Sequence, residues 1–218
     1  MKSIIGIYGA GGFGREVLPI IRQQVGLKSD VVFIVDDIKE KVVNETKVVT
    51  FDEFCSLKDM DKYYTVAIAD SKVRMEIDIK CIREGIKPIS IYSQNSVIMD
   101  DVLIGDGAIL SPFTCITSNV RIGKSFHANL YSYIAHDCVI GDYVTLAPGV
   151  KCNGNVIIED HAYVGTGAII RPGTKTKPLV IGSHSIIGMG AVVTKTVPSG
   201  KTVFGNPAKI LGKVRTSS

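Results

Sequence analysis

Few residues in this chain have the types and spacing to do chemistry. Among its four histidines, His136 stands out because Asp137 follows it directly. An imidazole titrates near neutral pH and can take a proton from an attacking amine or hydroxyl, with a nearby carboxylate to steady the charge. Adjacent residues in extended chain point to opposite faces, so Asp137 can orient His136 only where the backbone turns. His127, His161 and His184 read as structural. His161 follows Glu159-Asp160 and His184 follows Gly182-Ser183, ordinary exposed corner positions. No two histidines have a zinc-ligand spacing, so no metal is expected. The five cysteines, Cys55, Cys81, Cys115, Cys138 and Cys152, contain no C-x-x-C pair and read as structural thiols of a reducing compartment.

A second stretch is built to meet phosphate. An aliphatic run, Ile4 to Tyr8, leads into Gly9-Ala10-Gly11-Gly12-Phe13-Gly14 and then into a helix-like segment from Arg15 to Arg22. Glycines permit a tight turn, and a helix N-terminus offers free N–H groups to a pyrophosphate. The expected contacts are Gly11, Gly12 and Phe13. A later strand, Val31 to Val35, ends in Asp36-Asp37, and a third, Tyr64 to Ala69, ends in Asp70-Ser71 before a helix near Val73 to Glu84. Ile89 to Tyr92 closes this part as a fourth strand. The pattern is βαβ, a small parallel sheet over residues 1–92. It makes only half of a doubly wound domain, and no second half follows to hold a nicotinamide. A nucleotide-linked sugar is the ligand that suits it.

The rest of the chain, 93–218, carries a six-residue beat. Stepping by six from Ile98 gives Ile104, Leu110, Ile116, Ile122, Ala128, Ile134, Ile140, Leu146, Cys152, Ile158, Val164 and Ile170. Glycine often follows the beat, as at Gly105, Gly123, Gly141 and Gly165. The phase slips in Thr174 to Leu179, a loop, and resumes at Ile181, Ile187 and Val193. A period of six is neither that of a helix nor that of a hairpin strand, and belongs to parallel β-helices, in which each coil is stable only when stacked.

The repeat resembles the left-handed β-helix of the hexapeptide acyltransferases. That hand is opposite to the usual crossover rule and is implied by the resemblance alone. The ending Ala191-Val192-Val193-Thr194-Lys195-Thr196-Val197-Pro198, with Gly205-Asn206-Pro207-Ala208-Lys209, is similar to the acyl-CoA-binding tail of that superfamily. The whole chain resembles the bacterial sugar acyltransferases that join a Rossmann-like N-terminal domain to a β-helix. These include sialic acid O-acetyltransferases and nucleotide-activated 4-amino-sugar N-acetyltransferases. The run from Phe126 to Cys138 resembles the perosamine-type N-acetyltransferases in particular.

The resemblance implies an α/β N-terminal domain followed by an all-β left-handed parallel β-helix. It implies transfer of acetyl from acetyl-CoA to the 4-amino group of a nucleotide-linked 4-amino-4,6-dideoxyhexose, for O-antigen or other surface polysaccharide synthesis. GDP-perosamine is the leading sugar and dTDP-linked equivalents follow. It makes His136 the general base and Asp137 its supporting acid. It places Asp36, Asp37, Asp70 and Asn129 at the substrate, with Phe13 standing where several members carry a His. The Gly154 amide would stabilise the developing oxyanion. Thr145 stands where some relatives have a second His near the acetyl group. Gly165, Thr166, Gly188, Met189 and Lys195 would line the coenzyme. A homotrimer with active sites between subunits is also implied, one chain supplying His136 and its neighbour much of the acetyl-CoA cleft. O-acetylation of a sialic acid type sugar and a non-catalytic nucleotide-sugar sensor are the competing readings.

Composition narrows the classes further. A formal net charge of +4 without a dense Lys/Arg run gives no support for nucleic-acid binding. No segment is long and apolar enough to span a bilayer, and the first residues lack the pattern of a signal peptide. The expectation is a cytoplasmic protein.

Overall fold

The computed structural model describes residues 2–26 and 29–211. Met1 and residues 212–218, the end of the expected second domain, lie outside them. The N-terminal part has the order β1 (Lys2–Tyr8), α1 (Gly12–Val25), β2 (Ser29–Val35), β3 (Val42–Val43), β4 (Thr46–Thr50), α2 (Phe51–Ser56), β5 (Met60–Val66), α3 (Ser71–Arg83) and β6 (Lys87–Pro88). These strands form one sheet in the order β3-β4-β2-β1-β5-β6, parallel except for the β3–β4 hairpin. Alternate residues of β1 face opposite ways. Ile4 and Tyr8 pack with Phe51, Phe54 and Ile77 under α2 and α3. Ile5 and Ile7 pack with Val17, Leu18 and Ile21 of α1.

The sequence reading placed a fourth strand at Ile89 to Tyr92, and the structure divides that stretch. Lys87–Pro88 closes the N-terminal sheet, whereas Ile91–Tyr92, β7, pairs with Ile109–Leu110 and is the first rung of the β-helix. Ile91 and Ile109 join the core beneath α1, so the two parts share one apolar junction.

From β7 onward the chain winds as a parallel β-helix with the left hand. His127 pairs with Ile109 and Thr145 with His127, so one coil takes three hexapeptides. Its three sheets make a prism. Face 1 holds His127–Ala128 and Thr145–Leu146, face 2 holds Tyr133–Ile134, and face 3 holds Val139–Ile140. The loop at Thr174–Leu179 lengthens one coil, so that Tyr163 pairs with Ile186.

The beat residues from Leu110 to Val193 line the core, as the period requires. The position two before each beat also points inward, with Ala108, Val120, Phe126, Cys138, Val144, Val150 and Ala162 buried. The first two beats differ: Ile98 is exposed and Ile104 only partly covered, because no coil lies beneath them. Three residues before most beats the chain turns a corner with positive φ, as at Phe113, Asn119, Ser125, Tyr131, Asp137, Tyr143, Asn155, His161 and His184. The glycines after the beats have a steric cause, since a Cβ on Gly123 would lie 2.7 Å from the Asp142 nitrogen of the next coil.

Candidate active site

His136 sits on the edge between faces 2 and 3, two residues after the buried Ile134 and beside the corner residue Asp137. The turn that the sequence reading required is present: Asp137 has φ 58°, the conformation of its counterparts on the neighbouring coils, Asn119 and Asn155. It folds the carboxylate back so that Oδ2 lies 2.7 Å from His136 Nδ1. A carboxylate only accepts, so Nδ1 donates in this pair, and in the neutral ring that leaves the lone pair on Nε2. Hydrogen bonds from His136, and then from Asn119, hold the Asp137 carboxyl below the usual carboxylate range. Asn119 is the corner residue one coil below, and its Nδ2 lies 3.2 Å from Asp137 Oδ1.

One coil above His136 lies Gly154. A Cβ there would come within 2.6 Å of His136 Nε2, so glycine keeps the space beside the base open. Among the described residues no protein acceptor takes the Gly154 N–H. That leaves the amide free to donate. Lys195 continues the same edge upward. It borders a cavity of about 520 Å³ together with Arg171, Gly173, Lys177 and Thr196. Three cations around one cavity suit phosphate groups.

The other expected coenzyme contacts, and Asn129, expected at the substrate, are elsewhere. Asn129, Gly165, Thr166, Gly188 and Met189 follow the beats of face 1 and lie along the edge between faces 1 and 2. Asn129 Oδ1 accepts from Leu130 N at 2.7 Å, while Met189 is 80% exposed. Within one chain, these residues and His136 occupy different edges of the prism.

The N-terminal part contributes a third group. Gly9 has φ 104°, and a Cβ on Gly14 would strike the Gly9 carbonyl at 1.9 Å, so these two glycines serve the turn and the close packing of α1. Gly11 and Gly12 face open space instead, at a helix start with no side-chain cap. The N–H groups of Gly12, Phe13 and Gly14, in the first turn of α1, have no hydrogen-bond partner among the described residues, as an anion site needs. The Phe13 ring turns away and rests on His127 at 5.2 Å. Asp36 is exposed and accepts from the Tyr8 hydroxyl, and Asp37 is exposed beside it. Asp70 caps α3, accepting from Lys72 N and Val73 N, which lowers its pKa.

Thr145 is not at the His136 edge. It lies on face 1, buried where α3 meets the β-helix, and its Oγ1 accepts from Arg74 at 3.1 Å. It borders a cavity of about 640 Å³ with Asp70, Lys72, His161, Tyr163 and His184. His161 is not a bare exposed corner. It is partly covered and stacked between Tyr143 at 5.1 Å and His184 at 4.7 Å, the same corner position on successive coils. His127 is buried on Phe13; the Val66 backbone is close to its ring without completing a hydrogen bond. Burial, then the charge of Arg74, pushes its pKa well down, so it stays neutral.

Residues 4–79 match the family described as the PglD N-terminal domain. The GDP-perosamine N-acetyltransferase of Escherichia coli O157:H7 is 50% identical over 219 residues, covering 99% of each chain. The chain belongs to the perosamine-type N-acetyltransferase family. Among solved structures, WeeI from Acinetobacter baumannii AYE is 55% identical with a TM-score of 0.94, covering 96% of this chain and 100% of that one. PerB from Caulobacter crescentus, solved with CoA and GDP-perosamine, is 25% identical with a TM-score of 0.86, covering 97% and 99%. The sequence reading missed Asn119, Arg171, Lys177 and Arg74. Asn119 could have been found by stepping back one coil from Asp137, once the coil length was known.

Proposed function

We propose that this protein is an acetyl-CoA-dependent N-acetyltransferase acting on the 4-amino group of a nucleotide-linked 4-amino-4,6-dideoxyhexose, with GDP-perosamine first among candidates. The observation that carries the reaction is the His136 edge: an imidazole oriented by a fixed carboxylate, beneath an unclaimed backbone amide. The choice of sugar rests on likeness over the full length of GDP-perosamine N-acetyltransferase. His136 Nε2 takes a proton from the sugar amine as nitrogen attacks the thioester carbonyl. Charge grows on the carbonyl oxygen, and the Gly154 N–H stabilises it. Collapse breaks the C–S bond and releases the coenzyme thiol, which regains a proton from the imidazolium.

The diphosphate binds the N-terminus of α1 at Gly11, Gly12 and Phe13, with Asp36, Asp37 and Asp70 near the nucleotide or sugar. The phosphates of coenzyme A lie near Lys195 with Arg171 and Lys177, and its pantetheine runs past Gly165, Thr166, Gly188 and Met189. Since those groups occupy two edges of one prism, a single chain cannot close the site. A homotrimer, in which one chain's His136 edge faces its neighbour's other edge, closes it. The exposed Val97, Leu103, Val139 and Ile186 would be covered in such an assembly. We place the reaction in the cytoplasm, where the five thiols stay reduced. Its product serves surface polysaccharide synthesis.

The test is thiol release from acetyl-CoA with a panel of GDP-, dTDP- and UDP-linked 4-amino sugars, alongside sialic acid. Turnover on one amino sugar is expected. Turnover on sialic acid alone would move the chemistry to O-acetylation. Nucleotide-sugar binding without any thiol release would make the protein a sensor.

A further inference from the structure

A buried cation ties the α/β part to the β-helix. Arg74 of α3 is fully buried. Its Nη1 donates to the carbonyls of Ile68 at 2.9 Å and Ala69 at 3.2 Å, in the loop that leads to Asp70. Its Nη2 donates to the Tyr143 carbonyl at 2.6 Å and to Thr145 Oγ1 at 3.1 Å, both on the β-helix. One turn further along α3, Asp78 accepts from the Ser125 hydroxyl on the coil below. Burying charge is unfavourable unless it is well partnered, and Arg74 Nε finds no partner among the described residues. Apolar contact alone would join the parts, as Ile91 and Ile109 already do against α1. The cation calls for another reason.

That reason lies in donor chemistry. A guanidinium has donors only. Thr145 Oγ1 must therefore meet Arg74 with a lone pair, and its own proton is left over. No protein acceptor takes that proton among the described residues, and Thr145 borders the 640 Å³ cavity. The same guanidinium holds the Ile68–Ala69 carbonyls, so one side chain fixes both walls of the cavity.

We propose that Arg74 is a positioning residue: it fixes the Ile68–Asp70 loop against face 1 and presents the Thr145 hydroxyl as a hydrogen-bond donor to an acceptor oxygen of the molecule bound in this cavity. The oxygen belongs to the sugar or to the thioester. The inference rests on the reaction proposed above and adds to it the group that orients the donor.

The experiment is steady-state kinetics, each substrate varied in turn, on Thr145→Val, Thr145→Ser, Arg74→Lys and the Arg74→Lys/Thr145→Val double variant, with melting temperatures alongside. Thr145→Val is expected to lose about two- to tenfold in kcat/KM, the size of one neutral hydrogen bond, and Thr145→Ser to recover it. A loss confined to KM for the nucleotide sugar places the acceptor on the sugar. A loss in kcat with both KM values kept places it on the thioester. Arg74→Lys is expected to show the same pattern, and the double variant to be no worse than the poorer single one. Multiplying losses would overturn the proposal, as would lower melting with unchanged kinetics. Should Arg74→Lys fail to fold, a Thr145→Val enzyme with wild-type kcat and KM overturns it alone. Silence of the wild-type protein on every amino sugar would count against the proposed reaction instead. The same cycle is then read by calorimetric binding of GDP-perosamine and of acetyl-CoA, where additivity again overturns the role of Arg74.

Discussion

At the scale of single residues, the site depends on a backbone conformation as much as on side chains. Asp137 reaches His136 because its φ is positive, and Asn119 fixes the far oxygen of the carboxylate. Replacing His136 with Ala removes the base while leaving the amine nucleophile, so kcat should fall by about 10²–10⁴ at neutral pH and recover as the pH rises. A pH–rate profile with an amino-sugar substrate checks this, and a flat profile would assign the proton to another group. Gly154→Ala should act on chemistry rather than folding, because the clash falls on an exposed, movable imidazole. We expect a kcat loss of more than about tenfold with little change in melting temperature, checked by kinetics and thermal unfolding together. The His136-Asp137 pair was legible because its members adjoin in sequence. Asn119 and Arg74 were not, since each gains its role from a partner a coil or a whole domain away.

At the scale of elements, the beat residues announced the β-helix, since a column of stacked aliphatic side chains needs one at every sixth position. The second inward position was harder to read, because Ala, Ser, Thr and Cys interrupt the Val and Phe that also occupy it. The hairpin of β3 and β4 was hidden as well. Its turn residues, Asn44 and Glu45, both have positive φ but lack the glycine that usually marks such a turn. The packing of α1 on β1 gives a prediction at this scale. Gly14→Ala drives a Cβ into the Gly9 carbonyl, so it should destabilise by roughly 1–3 kcal/mol, whereas Gly12→Ala, facing open space, should not. Denaturant melts of the two variants separate these outcomes. The junction between α1 and face 1 gives another. His127 is neutral when folded, so below pH 6.5 the unfolded chain binds a proton that the folded one refuses. Stability should therefore fall with pH from about 6.5 downward, by at most about 1.4 kcal/mol per unit from this group. His127→Phe, which keeps a ring against Phe13, should flatten that slope in melts between pH 7 and pH 5.

At the scale of the whole molecule, the chain presents its reactive groups on separated surfaces. The His136 edge, the edge of Thr166 and Met189, and the glycine-rich N-terminus of α1 meet only between copies in the proposed trimer. Mixing His136→Ala with Gly12→Glu, each inactive alone, should restore about a quarter of the sites after refolding together, as random assembly of a closed ring requires. Thiol release from the mixture checks this, and continued silence would place both groups of one site on one chain. This separation of surfaces has a genetic corollary. In the proposed trimer each subunit would give its imidazole to one neighbour and its sugar-holding side to the other. A mutation that spoils only one surface removes a single site from a mixed ring, and is recessive to a normal copy. A mutation that spoils both surfaces without loosening the ring disables the two sites its subunit shares, and acts as a dominant poison.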